Sequence, residues 1–159
     1  MATSSPSPER DRPGAIAPPP LIFLAVFALG WLLARFVVPP LDVPHGVAIG
    51  AVLFVAGLAL MIWAAATMTR ARTTFNPYGS STAIVTTGPF RWTRNPIYVA
   101  DAVVYAGMAL LLHAVAALLL LPLALIVITL GVVRREERYL ERKFGASYLA
   151  YRRRVRRWL

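Results

Sequence analysis

Between Ala102 and Val133 the chain reads AVVYAGMALLLHAVAALLLLPLALIVITLGVV, 32 residues with no formal charge and a single histidine, His113. As one helix this run would extend about 48 Å at about 1.5 Å per residue. The hydrocarbon core of a bilayer is only about 30 Å thick, so the run must fold back on itself, and His113 marks the turn. It divides into a span from about Ile97 to Leu112 and a second from about Val115 to Val133, with Pro122 a kink inside the second.

Upstream of this hairpin lie two more apolar stretches. The first, Leu21 to Val38, runs into Arg35 and Pro39-Pro40. It is longer than a secretory signal core and lacks a small-residue cleavage site, so it reads as a retained span. The second extends from about Gly46 to Thr67. Met1 to Pro20, composed largely of Ser, Pro, Asp, Glu and Arg and closing on Pro18-Pro19-Pro20, reads as a disordered arm. The predicted fold is all-α: a polytopic membrane bundle of about four spans, with a cytoplasmic connector and a C-terminal amphipathic helix, forming one domain over residues 21–159.

Composition agrees. The 159 residues are 58% hydrophobic and 15% charged, whereas soluble domains carry roughly a quarter charged residues. No cysteine is present, which removes disulfides, thiolate metal sites and thiol catalysis. His45 and His113 lie in different segments without a metal-binding spacing, so no metal is expected. Of the 17 basic residues, Arg10, Arg12, Arg70, Arg72, Arg91, Arg94 and the ten after Val133 fall on one side of this layout; only Arg35 falls on the other. The positive-inside rule therefore puts both termini and the connector in the cytoplasm. The same asymmetry accounts for the net charge of +10 without nucleic acid. An Ala- and Arg-rich composition points to a bacterial source, and so to the inner membrane.

Three elements converge on the cytoplasmic face: the connector from Arg70 to Asn95, the start of the third span, and the charged exit of the fourth. A connector this long between bundle helices is commonly functional. Gly88-Pro89 marks a turn, and Arg91 and Arg94 offer guanidinium groups suited to a carboxylate or phosphate. Asn95-Pro96 starts a helix, Asn as cap and Pro as first residue. A plain capped membrane helix with interfacial arginines fits these residues equally well. Tyr98, Asp101 and Tyr105 then share one helix face. An ionisable residue inside a span tends to face the protein interior or a wet cavity, which singles out Asp101. Arg134-Arg135-Glu136-Glu137 is either a solvated helix end or the place where a carboxylate turns inward. In the tail, Leu140, Phe144, Tyr148 and Tyr151 recur at near-helical spacing, with Gly145 an interruption, as in an interfacial amphipathic helix.

From about Arg70 to Leu159 the chain resembles the superfamily of isoprenylcysteine carboxyl methyltransferases and phospholipid methyltransferases. The resemblance is carried by TTGPFRWTRNPIY at Thr86 to Tyr98, the helical hairpin, and EERYLERKFGASYLAYRRRV at Glu136 to Val155. It implies a cytosol-facing pocket for S-adenosylmethionine, with a lateral opening through which a lipophilic methyl acceptor enters from the bilayer. By position, Ile84, Val85 and Phe90 would line the cofactor. Arg94, Asn95, Pro96, Ile97 and Tyr98 would form the central clamp, and Glu136 with Glu137 would hold the polar end. The family's commonest clamp has histidine where this chain has Asn95, whose amide both donates and accepts hydrogen bonds.

The candidate catalytic residues are Asn95, Tyr98 and Asp101. No GxGxxG follows a strand, so a soluble doubly wound methyltransferase is excluded. Methyl transfer needs chiefly an in-line approach of the acceptor, with a base only if the acceptor arrives protonated. A prenylated carboxylate, a phospholipid amine or a hydrophobic small molecule would all suit such a pocket. The alternative is a non-enzymatic membrane protein that binds anionic lipid or an acidic partner through its basic face, at about 1 kcal/mol per Lys or Arg.

Overall fold

The structure, a computed structural model, describes residues 14, 16–37, 43–73 and 82–159. Most of the expected disordered arm, the Pro39-Pro40 exit of the first span and part of the connector lie outside these residues. The helices are α1 (Pro19–Phe36), α2 (Gly46–Arg70), α3 (Pro96–Leu111), α4 (Val115–Ile128), α5 (Arg134–Phe144) and α6 (Ala146–Arg154). A short 3₁₀ turn covers Gly88–Arg91, and a π-helical segment, Thr129–Val133, joins α4 to α5. Among the described residues there is no strand, and the fold is the expected all-α bundle.

Among the described residues, three helices are long and apolar enough to cross a membrane: α1, α2 and the continuous helix from Val115 to Phe144. The 16 residues of α3 form a shorter apolar helix, about 24 Å long. Each boundary has a local cause. The first helix begins at Pro19, two residues before the expected Leu21, because proline fits the first turn, where no N–H partner is needed. The second outruns Thr67 because the hydroxyls of Thr67 and Thr69 donate to the carbonyls of Trp63 and Ala65, so neither needs water. The turn at His113 falls where the length limit puts it. His113 adopts φ 52°, its N–H donates to Leu110 O at 3.2 Å, and the Ala114 N–H donates to Ala109 O at 2.8 Å. This pattern closes the end of α3 in the usual left-handed way, with histidine in place of glycine.

Packing relies on small residues, as in membrane bundles generally. A Cβ placed on Gly107 of α3 would lie 2.6 Å from Phe54 N and 2.8 Å from Gly50 O of α2, so the two backbones touch. Gly30 of α1 abuts Ala117 of α4 in the same manner. Between α1, α3 and α4, Tyr105 is clasped edge-on by Phe23 and Phe27 and donates its hydroxyl to Ala117 O at 2.8 Å. Although consecutive, α1 and α2 share no extended contact: α2 packs along α3, and α1 along α4.

The described part of the N-terminal arm lies against the α4–α5 junction. The Ile16 N–H donates to Gly131 O at 3.3 Å, Ile16 fills the space a side chain on Gly131 would need, and Arg135 Nη1 donates to Gly14 O at 3.0 Å. The tail is helical and interrupted at Gly145 as expected, but it is built into the protein and does not lie as one surface helix on the membrane. Its first half, α5, prolongs α4; Gly145, at φ 51° and ψ −125°, breaks the helix in a region costly for any side chain. The second half, α6, turns Tyr148 and Tyr151 into the protein, at 1% and 5% exposure. Aromatic stripes facing a protein wall and facing lipid have the same spacing, which is why periodicity alone suggests the surface.

Candidate active site

At the end of the bundle that carries the connector and tail, a cavity of about 740 Å³ opens between α2, α3, α5 and α6. Its volume is within the range of about 300–1,000 Å³ typical of small-molecule sites. Its apolar lining includes Pro18, Pro19 and Pro20, ahead of and at the start of α1, and Met61, Ala65 and Met68 of α2. Ile84, Val85 and Phe90 of the connector add to it. A polar wall is formed by Arg94, Asn95, Tyr98, Asp101, Glu136 and Glu137.

Local chemistry places these groups. Pro89 and Phe90 are buried under the 3₁₀ turn, and the Tyr151 hydroxyl donates to Phe90 O at 2.8 Å, fastening the connector to α6. Gly88 at φ 58° lets the chain pass α2 so closely that a Cβ would lie 2.8 Å from Thr67 Oγ1. Thr93 and Arg156 form a parallel bridge, and the Arg94 N–H donates to Arg156 O at 2.9 Å. From there Pro96 starts α3 and aims Tyr98 and Asp101 into the cavity.

Two carboxylates come from α5, and their surroundings differ. Glu136 accepts a hydrogen bond from the Tyr98 hydroxyl at 2.7 Å. Glu137 accepts from two arginines: Arg94 Nη2 at 3.0 Å, and Arg157 through Nε at 2.9 Å and Nη2 at 2.7 Å. The side chains of Arg94 and Glu137 are each 9% exposed. Among the described residues, Arg94 Nε and Nη1 are nevertheless buried without a hydrogen-bond partner. Most buried donors are paired, and leaving one unpaired costs about 1–3 kcal/mol. Asp101, half-buried, has no partner among the described residues. In the tail wall, burial foremost, then repulsion from Glu137, pushes the Tyr148 phenol up to about 12, and burial likewise raises that of Tyr151. Both remain neutral phenols at ordinary pH.

Every residue singled out for the site, Ile84, Val85, Phe90, Arg94 through Tyr98, Asp101, Glu136 and Glu137, lines this one cavity. Other sequence candidates separate. Arg91 is exposed and outside the cavity, and Tyr105, on the same face as Tyr98 and Asp101, is buried in packing one turn deeper. The Asn95 side chain is engaged with the tail, its Nδ2 donating to Arg157 O at 2.8 Å. Sequence reasoning did not single out Arg157, the wall formed by Pro18 to Pro20, or Met61 and Met68. The charge of Arg157 is one among ten in the tail, and no spacing distinguishes it.

Residues 46–147 match the sequence model of the phospholipid methyltransferase family. The match spans well over half of the chain, from the first residue of α2 into α6, so it takes in α2, upstream of Arg70, where the resemblance read from the motifs begins. Residues Tyr148 to Leu159 lie beyond it. No curated protein and no solved structure matches the chain.

Proposed function

The chain belongs to the phospholipid methyltransferase family of membrane methyltransferases, and from that membership we propose that it uses S-adenosylmethionine to methylate a lipophilic acceptor drawn from the bilayer. The observation that carries this reading is Arg94, with two buried donors that have no hydrogen-bond partner among the described residues, in a cavity of suitable volume. A guanidinium in that state fits a carboxylate, which the cofactor's amino-acid end carries. Tyr98 and Glu136 would face its polar groups, and Ile84, Val85 and Phe90 its adenine ring. Glu137, already held by two arginines, would act through Arg94 more than by direct contact. When bound, the cofactor supplies an electrophilic methyl group on a positively charged sulfur.

The acceptor would enter where α1 and α2 stand apart, between Pro18 to Pro20 on one side and Met61, Ala65 and Met68 on the other. Asp101 favours an amine as the acceptor. A carboxylate acceptor would add a further acid beside the carboxyl groups of Asp101 and Glu136, whereas an ammonium can pass its proton to the Asp101 carboxylate, which has no partner among the described residues. The apolar walls exclude water and hold the acceptor for in-line approach. The charge asymmetry of the sequence supports a cytoplasmic orientation for this end of the bundle, and the Ala- and Arg-rich composition a bacterial inner membrane.

Calorimetry of S-adenosylmethionine with detergent-solubilised protein tests the reading. Micromolar binding is expected for wild type and its loss for Arg94→Gln, at similar thermal midpoints. A folded wild type that binds no cofactor overturns it.

A further inference from the structure

Glu137 is shared by two arginines, and the way they divide it decides what Arg94 can offer a ligand. Arg157 takes both oxygens, Nε to Oε1 at 2.9 Å and Nη2 to Oε2 at 2.7 Å, a two-point pairing suited to a planar guanidinium. Arg94 reaches only Oε1, through Nη2 at 3.0 Å. Its remaining donors, Nε and Nη1, are buried and have no hydrogen-bond partner among the described residues, although the Tyr148 phenol lies near enough to interact with the guanidinium. Arg157 is itself fixed: its carbonyl accepts from Thr93 Oγ1 at 3.0 Å and Asn95 Nδ2 at 2.8 Å. The backbone that carries Arg157 is thus fastened beside the residue whose charge it influences. Arg157 lies outside the segment that matches the family.

We propose that Arg157 is a positioning residue for anion recognition: by holding both oxygens of Glu137 it keeps Arg94 from pairing there at two points and so preserves the Arg94 donors for a ligand carboxylate. Charge supports this. Within this cluster of three side chains, two guanidinium groups on one carboxylate leave one positive charge beside the cavity, whereas Arg94 and Glu137 alone would neutralise each other. The inference rests on the reading of Arg94 as the site of the cofactor's carboxylate.

The test compares two ligands on the full chain in detergent by calorimetry. S-adenosylhomocysteine carries the carboxylate; 5′-methylthioadenosine is the same nucleoside without the amino-acid end. Arg157→Ala should weaken the first by about tenfold and leave the second unchanged, and Arg157→Lys, which keeps the charge but not the fork, should fall between. Adding Glu137→Gln to Arg157→Ala removes the carboxylate that would capture Arg94, and should return affinity for S-adenosylhomocysteine to within about threefold of wild type. Equal losses for both ligands, or a double variant no better than the single, would mean that Arg157 serves only to hold the fold, and would overturn the proposal. Wild-type affinity in Arg157→Ala overturns the positioning role alone. A folded wild type that binds neither ligand overturns the cofactor reading and this role with it.

Discussion

The hydroxyl of Tyr98, in the first turn of α3, donates to Glu136 Oε1, in the first turn of α5, at 2.7 Å. This bond crosses the polar wall of the cavity and ties together two helices that approach there through few other groups. It also gives Glu136 a fixed orientation, since one of its oxygens is committed to a phenol that is itself 7% exposed.

Tyr98→Phe keeps the ring and removes the donor. A carboxylate left without its partner in a largely enclosed site should cost about 1–3 kcal/mol of stability, read as a lower thermal midpoint in detergent. Methyl transfer should fall by more than cofactor binding does, because Glu136 is then free to turn. Unchanged stability and turnover would remove the bond from the working site.

Gly107→Ala tests the helix contact beneath the site. Its Cβ would meet backbone, Phe54 N at 2.6 Å and Gly50 O at 2.8 Å, and neither can swing aside as a side-chain tip would. A loss of about 1–3 kcal/mol is expected from overpacking, measured by thermal unfolding. Since α2 also supplies Met61, Ala65 and Met68 to the cavity, acceptor KM should rise with it.

At Asn95 the order of variants is diagnostic. Nδ2 donates to Arg157 O, so Asn95→Ala loses one hydrogen bond, about 1 kcal/mol, and loosens the tail. Asn95→Asp sets an acceptor against that carbonyl and should be worse. Trypsin cleavage within Arg152 to Arg157 should accelerate in the order wild type, Ala, Asp. The reverse order for the two variants would mean that the amide is not a tether.

Alkaline pH should release the tail. The Tyr148 phenol is raised to about 12, against about 10 for an exposed tyrosine, and Tyr151 is raised as well. The stability their burial confers is full below about pH 10 and declines as pH rises toward the folded value. Thermal midpoints should therefore drop above about pH 10, and Tyr148→Phe, which keeps the ring and cannot ionise, should soften the drop.

Several of these features were legible in the sequence because they obey local or length rules. The turn at His113 follows from an apolar run too long for one span, and the start of α3 from Asn95-Pro96. The break at Gly145 follows from a residue free of the Cβ penalty. Others have no local signature. TLGVV at Thr129 to Val133 reads as ordinary helix, yet it is π-helical and carries α4 directly into α5. Arg157 acts on Glu137 across 20 positions and on Asn95 across 62, distances over which neither spacing nor periodicity carries information. Pro18 to Pro20 look like linker composition, and only packing makes them a wall of the cavity.

The π-helical segment also sets the angular phase of everything after it. One residue inserted into a helix with about 3.6 residues per turn rotates the remainder by about 100°. Were Thr129–Val133 wound as a regular α-helix, α5 would leave the bundle with Glu136 and Glu137 swung a quarter-turn or more from Tyr98 and Arg94. Those carboxylates face the cavity because of how many residues precede them in that wide turn, as well as because of what they are. A one-residue deletion there, leaving hydropathy and length almost untouched, would dial both of them out of alignment.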